Sequence, residues 1–353
     1  MSTIVKDPVR SRRPGLPFRP RPTDLDPRDT TLTQEQRTRR ARFVLVLLVV
    51  LTLAGAAAYL LYDVRGSWSY AMDLRTRQLA ALVITGAAVG SSSAVFQTVT
   101  GSRILTPSVM GFDALYMLIQ TVIVYTLGSA AFLALTPGQH FLIDAVLLTV
   151  FGWLLFTWLF RRSSRNLLML VLVGVVLGSF FGSLTSLASR LLSPDDFLTL
   201  QDVMFASFST ATPELLWTAG IVTTLGLAAL VPLCRRLDVV ALGHDHAIAL
   251  GVPFHLVVRI TLAVVTLLVA SATALVGPML FLGLIVANLA REIVPTHKHI
   301  VLVPVAALVG VLTCVVGQFV VVHVFDLSTT LSVVVNLVGG IYFLRLLMRT
   351  VSL

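Results

Sequence analysis

The chain has 353 residues, 56% hydrophobic and only 12% charged, with a formal net charge of +9. A soluble domain carries about twice that charged fraction, which excludes an ordinary water-soluble globule. The apolar residues fall in runs of roughly twenty, the length a helix needs to cross a bilayer core. Barrel strands would alternate apolar and polar residues over short segments; these runs do not, so helices must satisfy the backbone in lipid.

Residues 1–42 hold eleven of the 26 Lys and Arg and are rich in Pro. They read as a disordered basic tail on the cytoplasmic side of the membrane, suited to contact with anionic lipid headgroups. Only one aromatic, Phe18, lies among the arginines and Pro is frequent, so nucleic acid is not an expected partner. The tail lacks the short apolar core and small-residue cleavage site of a signal peptide close to the N-terminus, and the first span is expected to be retained. Residues 43–353 form the second predicted domain, a transmembrane one.

Hydropathy predicts ten spans, over 43–62, 78–97, 108–134, 141–160, 166–190, 214–233, 255–275, 278–291, 300–322 and 331–349. Arg75 and Arg77 lie just before the second span. That span carries Gly86, Ala87, Ala88, Gly90 and Ser91 to Ser93, small residues that let helices approach closely in lipid. Similar notches recur at Gly174, Gly178 and Gly182, and at Gly339 and Gly340. Residues 195–213 form the one long outer loop; its amphiphilic middle is too short to span and predicts a re-entrant or interfacial helix. Between the sixth and seventh spans lies a polar, helix-capable island, Leu237 to Gly251, punctuated by Pro232 and Pro253. The eighth span is short and is expected to start at Gly277-Pro278, with proline in its first turn.

Ten spans with the N-terminus inside place both termini in the cytoplasm. Twenty-two of the 26 Lys and Arg then fall on the cytoplasmic side, and Arg65, Arg75, Arg77 and Arg190 fall outside. That split follows the positive-inside rule; one span more or fewer would spoil it. The expected class is therefore an all-α polytopic membrane protein with about ten transmembrane helices and a re-entrant outer segment.

Four strings in order carry a family resemblance. The first comprises Phe96, Gln97, Thr98, Thr100, Arg103, Leu105, Thr106, Pro107, Ser108, Gly111 and Asp113. The second is the loop Gly243, Ala247, Leu250 and Gly251, in the spacing G-x3-A-x2-L-G. The third runs from Gly277 to Arg291, with Phe281, Gly283 and Leu284, and with Ala287 and Asn288 where the widespread form has Pro and His. The fourth, Val333 to Arg349, includes Asn336, Gly339, Gly340 and Tyr342. Together they resemble the permease subunits of iron-siderophore ABC importers, a family shared with cobalamin and haem importers. The likeness covers about residues 43–350 and leaves the tail outside.

That resemblance implies a permease of the bacterial plasma (inner) membrane that imports ferric siderophores by alternating access. It implies two cytoplasmic ATPase subunits, an extracytoplasmic siderophore-binding protein and a second permease, with a heterodimer favoured. ATP and Mg would belong to the ATPase, with no cofactor on this chain. By the same resemblance, Leu237, Leu242, Gly243, Ala247, Ile248, Leu250 and Gly251 form cytoplasmic coupling helices seated in the ATPase. Arg75 and Arg77 face acidic residues of the binding protein. Gly178, Gly182, Ser183, Ser207, Ser209 and Asn336 border the translocation path.

Other residues are read as structural. The pairs His244/His246 and His297/His299 stand two apart, so on a helix they would point about 200° away from each other; both are expected to be solvated loop side chains, and no metal site is expected. Asp113 and Asp144 sit near predicted helix starts, where a carboxylate is favoured, and no aligned set suggests a proton relay. Cys234 and Cys314 read as packing residues. No G-x4-G-K-[ST] phosphate loop occurs, nor any recognisable catalytic constellation, so the chain is not expected to be an enzyme. The competing readings are a proton-coupled carrier, which needs a midplane carboxylate or broken helices, a permease for cobalamin or haem, and an intramembrane enzyme or scaffold, which would bring no ATPase with it on purification.

Overall fold

A computed structural model describes residues 34–62, 67–163, 167–204, 208, 211–324 and 329–351. The chain divides into two units, Met1–Arg42 and Phe43–Leu353; of the first, only residues 34–42 are described, as helical turns. The described residues form α1 (Gln34–Leu61), α2 (Trp68–Thr100), a 3-10 turn (Ser108–Met110), α3 (Phe112–Ala134), α4 (Pro137–Ser163), α5 (Leu167–Ser189) and α6 (Pro194–Met204). There follow α7 (Pro213–Val240), α8 (His244–Ala249), α9 (Phe254–Val276), α10 (Leu282–Ile293), α11 (His299–His323) and α12 (Leu331–Val351). Among them there is no strand, so the expected all-α class holds.

Among the described residues, eight helices are long and apolar enough to cross a membrane: α1 to α5, α7, α9 and α11. The apolar run of α12, Leu331–Arg345, is shorter, and α10 has only 12 residues. Two predicted boundaries shift. The second helix starts at Trp68, so Arg75 and Arg77 lie within it rather than ahead of it. Residues 68–77 are polar but lack Pro and Gly, so nothing stops the helix where hydropathy ends. The eighth helix starts at Leu282, not at Pro278. Gly277 takes φ 105°, ψ −178°, a region open essentially to glycine alone, and the chain stays non-helical through Met279.

The helices α2 and α9 lie at the centre, each with 72% of its apolar window buried, whereas α1 and α5 bury 11% of theirs and lie at the edge. The small residues of α2 do what their pattern predicts: Gly86 and Gly90 face Gly310 and Ala306 of α11, and a Cβ on Gly86 would lie 2.6 Å from the Gly310 backbone. A side chain at either crossing glycine would push the helices apart.

The contact between α3 and α6 forms at a kink. Gly128, inside α3, takes φ 77°, ψ 161°. Ser129 just beyond it donates its backbone N–H to Asp196 Oδ1 of α6 at 2.8 Å, and Ser193 Oγ donates to Asp196 Oδ2 at 2.7 Å. These bonds, from Ser129 and then Ser193, hold the Asp196 carboxyl below its ordinary range. The helix α6 has 11 residues, too few to cross a bilayer.

Candidate coupling site and the polar cluster beneath it

Leaving α7, the chain turns at Gly243, whose φ of 100° and ψ of 167° exclude other residue types at low cost. Six residues of α8 follow, ended by a Schellman closure: Val252 N–H donates to Ala247 O at 3.0 Å and Gly251 N–H to Ile248 O at 2.9 Å. Gly251 takes the positive φ, 77°, that this closure requires. Pro253 then precedes α9. The two glycines of the G-x3-A-x2-L-G spacing thus bracket α8 and allow its abrupt start and stop.

Burial divides the seven expected coupling residues. Ala247 is fully buried and seats α8 on the bundle. Leu237 is also fully buried, so it offers no surface to a partner, contrary to its expected contact role; it lies three residues inside the end of α7, on the face packed against the bundle. Leu242, Ile248 and Leu250 are 59%, 52% and 62% exposed. They present an apolar surface on a short loop that also carries Asp245 and His246. The His244 ring packs edge-on against Phe254 with centroids 4.9 Å apart, joining α8 to α9.

Beneath this loop lies a cluster that the sequence pattern did not reveal. His299, expected to be solvated, is only 3% exposed. Asp238 of α7 accepts from its backbone N–H at 2.7 Å and meets its Nδ1 at 2.6 Å, all through Oδ1. The other ring nitrogen, Nε2, lies 2.9 Å from Thr98 Oγ1 of α2. Arg291 of α10 donates to Thr98 Oγ1 at 3.0 Å and to Ala94 O at 2.8 Å. Asn288, one turn earlier on α10, and Gln97 both donate to Arg103 O, at 3.0 and 2.7 Å. The signals available were Arg291, inside a matched string, and Asp238, inside the loop; no spacing connects them to His299.

The other expected site residues are scattered. Arg75 Nη1 donates to the carbonyls of Tyr59, Leu60 and Tyr62, at 3.1, 3.2 and 2.7 Å, and so serves orphan groups at the end of α1. Arg77 pairs with Asp73 one turn back and is 40% exposed. Gly178 packs against Gly111. Gly182 has open space around its Cα, and Ser183, exposed, donates to Ser179 O at 2.9 Å. Asn336 meets the Phe281 N–H at 3.5 Å, joining α12 to the start of α10. Ser207 and Ser209 lie outside the described residues. A groove of 720 Å³ between α2 and α7, lined by Arg77, Trp217 and others, holds none of the path residues.

Asp144 also differs from expectation. Because α4 starts at Pro137, Asp144 lies two turns inside it, buried, and accepts from Gln120 Nε2 at 2.6 Å. Cys234 and Cys314 are buried free thiols.

The FecCD transport family model matches residues 41–349. The chain belongs to this family. FecCD proteins are membrane permeases, so the chain is a multi-pass transport subunit and not an enzyme. Membership implies ATPase subunits, a substrate-binding protein and a second permease as partners. The chain is 43% identical over 310 residues to the petrobactin import system permease protein YclO of Bacillus subtilis, covering 88% of this chain and 98% of that one. It is 30% identical to the petrobactin import system permease protein FatC of Bacillus anthracis, covering 89% and 90%. Its fold is similar to a solved metal-chelate type ABC transporter in an inward-facing conformation, with TM-score 0.75, 23% identity, and 87% and 99% coverage.

Proposed function

We propose that this FecCD permease is one half of the membrane channel of an ATP-driven ferric-siderophore importer in a bacterial inner membrane, and that its cargo is of the petrobactin class. The observation that carries the reading is the α8 loop, with Leu242, Ile248 and Leu250 exposed on a knuckle bracketed by Gly243 and Gly251. An exposed apolar patch on a polar loop marks a docking surface, and the hydrogen-bonded closure of α8 onto the start of α9 gives a push a path into the bundle. The ATPase that grips it carries ATP and Mg. Lys and Arg distribution supports a cytoplasmic location for α8 and both termini. The full-length likeness to YclO supports the cargo. A second, related permease as the partner is favoured because Bacillus anthracis has two petrobactin permeases similar to this chain, FatC at 30% and FatD at 26% identity. Arg77, 40% exposed and paired with Asp73, is better placed for the binding protein than Arg75, which donates to three carbonyls of α1 and its end. Gly182 and Ser183 supply open, weakly binding surface toward the path, which suits release of a bulky chelate.

The test is uptake of ferric petrobactin by vesicles carrying both permeases, the ATPase and the binding protein. ATP-dependent uptake that persists with a protonophore supports the reading. Uptake that stops with the protonophore while ATP remains points to a proton-coupled carrier. Preference for cobalamin or haem over ferric petrobactin overturns the cargo assignment.

A further inference from the structure

The partly buried cluster under α8 joins four helices in one hydrogen-bonded chain, and its chemistry sets its direction. Asp238 Oδ1 only accepts when ionised, so His299 Nδ1 carries the proton that faces it. In the neutral ring Nε2 is then an acceptor, and its partner is the Thr98 hydroxyl at 2.9 Å. That hydroxyl has one proton. It also lies 3.1 Å from Ala94 O and cannot serve both. The Arg291 guanidinium resolves the conflict by donating to Ala94 O and to Thr98 Oγ1. The chain therefore runs carboxylate, imidazole, hydroxyl, guanidinium, from α7 through α11 and α2 to α10.

Its ends are placed to matter. Asp238 is in the last turn of α7, five residues before Gly243 and α8. Arg291 is in the last turn of α10, whose opposite end meets α12: Asn336 approaches the Phe281 N–H, and Gly339 packs so closely on Phe281 that a Cβ there would collide with it. The helices α2 and α11 between these ends are locked backbone to backbone at Gly86 and Gly310. A displacement of α8 that pulls on Asp238 acts on His299 and Thr98, and so on Arg291 and the short helix α10.

We propose that Asp238, His299 and Thr98 are positioning residues for transport: they relay movement of the α8 loop to α10 and α12. The proposal rests on the reading of α8 as the ATPase handle. They act through one another and through Arg291, keeping the two moving parts in register.

Thr98→Val is the cleanest probe, since it keeps shape and removes only the hydroxyl; Thr98→Ser restores it. His299→Asn keeps a donor toward Asp238 but loses the Nε2 contact. Each variant is assembled in the full importer and assayed for ATP hydrolysis, uptake of ferric petrobactin and co-purification of the ATPase. Thr98→Val and His299→Asn are expected to retain the ATPase and hydrolyse ATP, while uptake per ATP falls at least about fivefold, the lower end of the range spanned by couplings between sites. Thr98→Ser is expected to restore the ratio. An unchanged ratio in both Thr98→Val and His299→Asn overturns the relay. So does an equal deficit in Thr98→Ser and Thr98→Val, which marks a packing defect. The α8 reading fails separately: Leu242→Ser/Leu250→Ser variants that keep full ATPase association and uptake sink it, whatever Thr98→Val does.

Discussion

The α2–α11 crossing gives a sharp stability test in Gly86→Ala and Gly90→Ala. The new methyl on Gly86 would lie 2.6 Å from the Gly310 carbonyl carbon and the Val311 nitrogen. Carbon contacts settle at about 3.5–4.0 Å, so the helices must separate by about 1 Å. Backbone cannot swing aside as a side chain can. A gap of that size forfeits about a quarter to a half of each dispersion well along the seam, and overpacking of this kind costs about 1–3 kcal/mol. Alanine returns up to about 1 kcal/mol in helix propensity. The net expectation is a loss of about 1–2 kcal/mol for each variant. One separation relieves both clashes, so the double variant should lose less than the sum, with a coupling of about 1 kcal/mol. Gly182→Ala is the control, because a Cβ there meets nothing within 4 Å. The assay is SDS-induced unfolding of the purified protein in detergent, followed by tryptophan fluorescence. Wild-type stability in both crossing variants, or full additivity in the pair, refutes the reasoning.

Three further outcomes are expected. Gly251→Asn should be tolerated and Gly243→Asn should not. Gly251 holds an αL-type closure that Asn adopts, whereas the φ 100°, ψ 167° of Gly243 suits glycine and costs another residue about 1–3 kcal/mol; ATPase pull-down from membranes compares the two. Replacing Leu242, Ile248 and Leu250 together by Ser should reduce ATPase co-purification at least about tenfold while insertion stays normal, since apolar anchors dominate such contacts; unchanged recovery counts against the docking surface. The α6 tie should be acid-sensitive: the bonds to Asp196 are favoured while its carboxyl is ionised, and its folded value is held below 3.8. The sign follows from the depression. The stabilisation is full above the ordinary carboxylate value and is lost as pH falls through the lower folded one. The distance between spin labels placed on α3 and α6, read by electron spin resonance on frozen samples, should thus be constant from neutral pH down to about 4.5 and change only in stronger acid; a change nearer neutrality contradicts the assignment.

The fold was largely legible because lipid imposes a coarse rule. Runs of apolar residues must become helices, and positive charge distributes by side; eight of the ten predicted spans fall, among the described residues, on helices long and apolar enough to cross, α1 to α5, α7, α9 and α11, and the other two on the shorter α10 and α12. The small residues of the second span predicted a close crossing without naming its partner, since glycine in one helix carries no record of Gly310 in another. Boundaries slipped where local chemistry, not hydropathy, decides. Residues 68–77 continue a helix because nothing breaks it, and Gly277-Pro278 delays one because glycine there adopts a backbone region closed to helices.

In the α8 loop, the spacing of Gly243, Ala247, Leu250 and Gly251 was readable from the chain alone, as was the polarity of the segment. Only packing separated the buried Leu237 and Ala247 from the exposed Leu242, Ile248 and Leu250, because helix phase against neighbouring helices determines which side a residue faces. The same holds for His299. In the chain it is one of two histidines in a polar stretch; in three dimensions it sits between Asp238, 61 residues away, and Thr98, 201 residues away. Sequence determined the membrane class, the span pattern and the family. Tertiary structure decided which polar groups are joined, because hydrogen bonds across helices depend on distance in space and leave no periodicity along the chain.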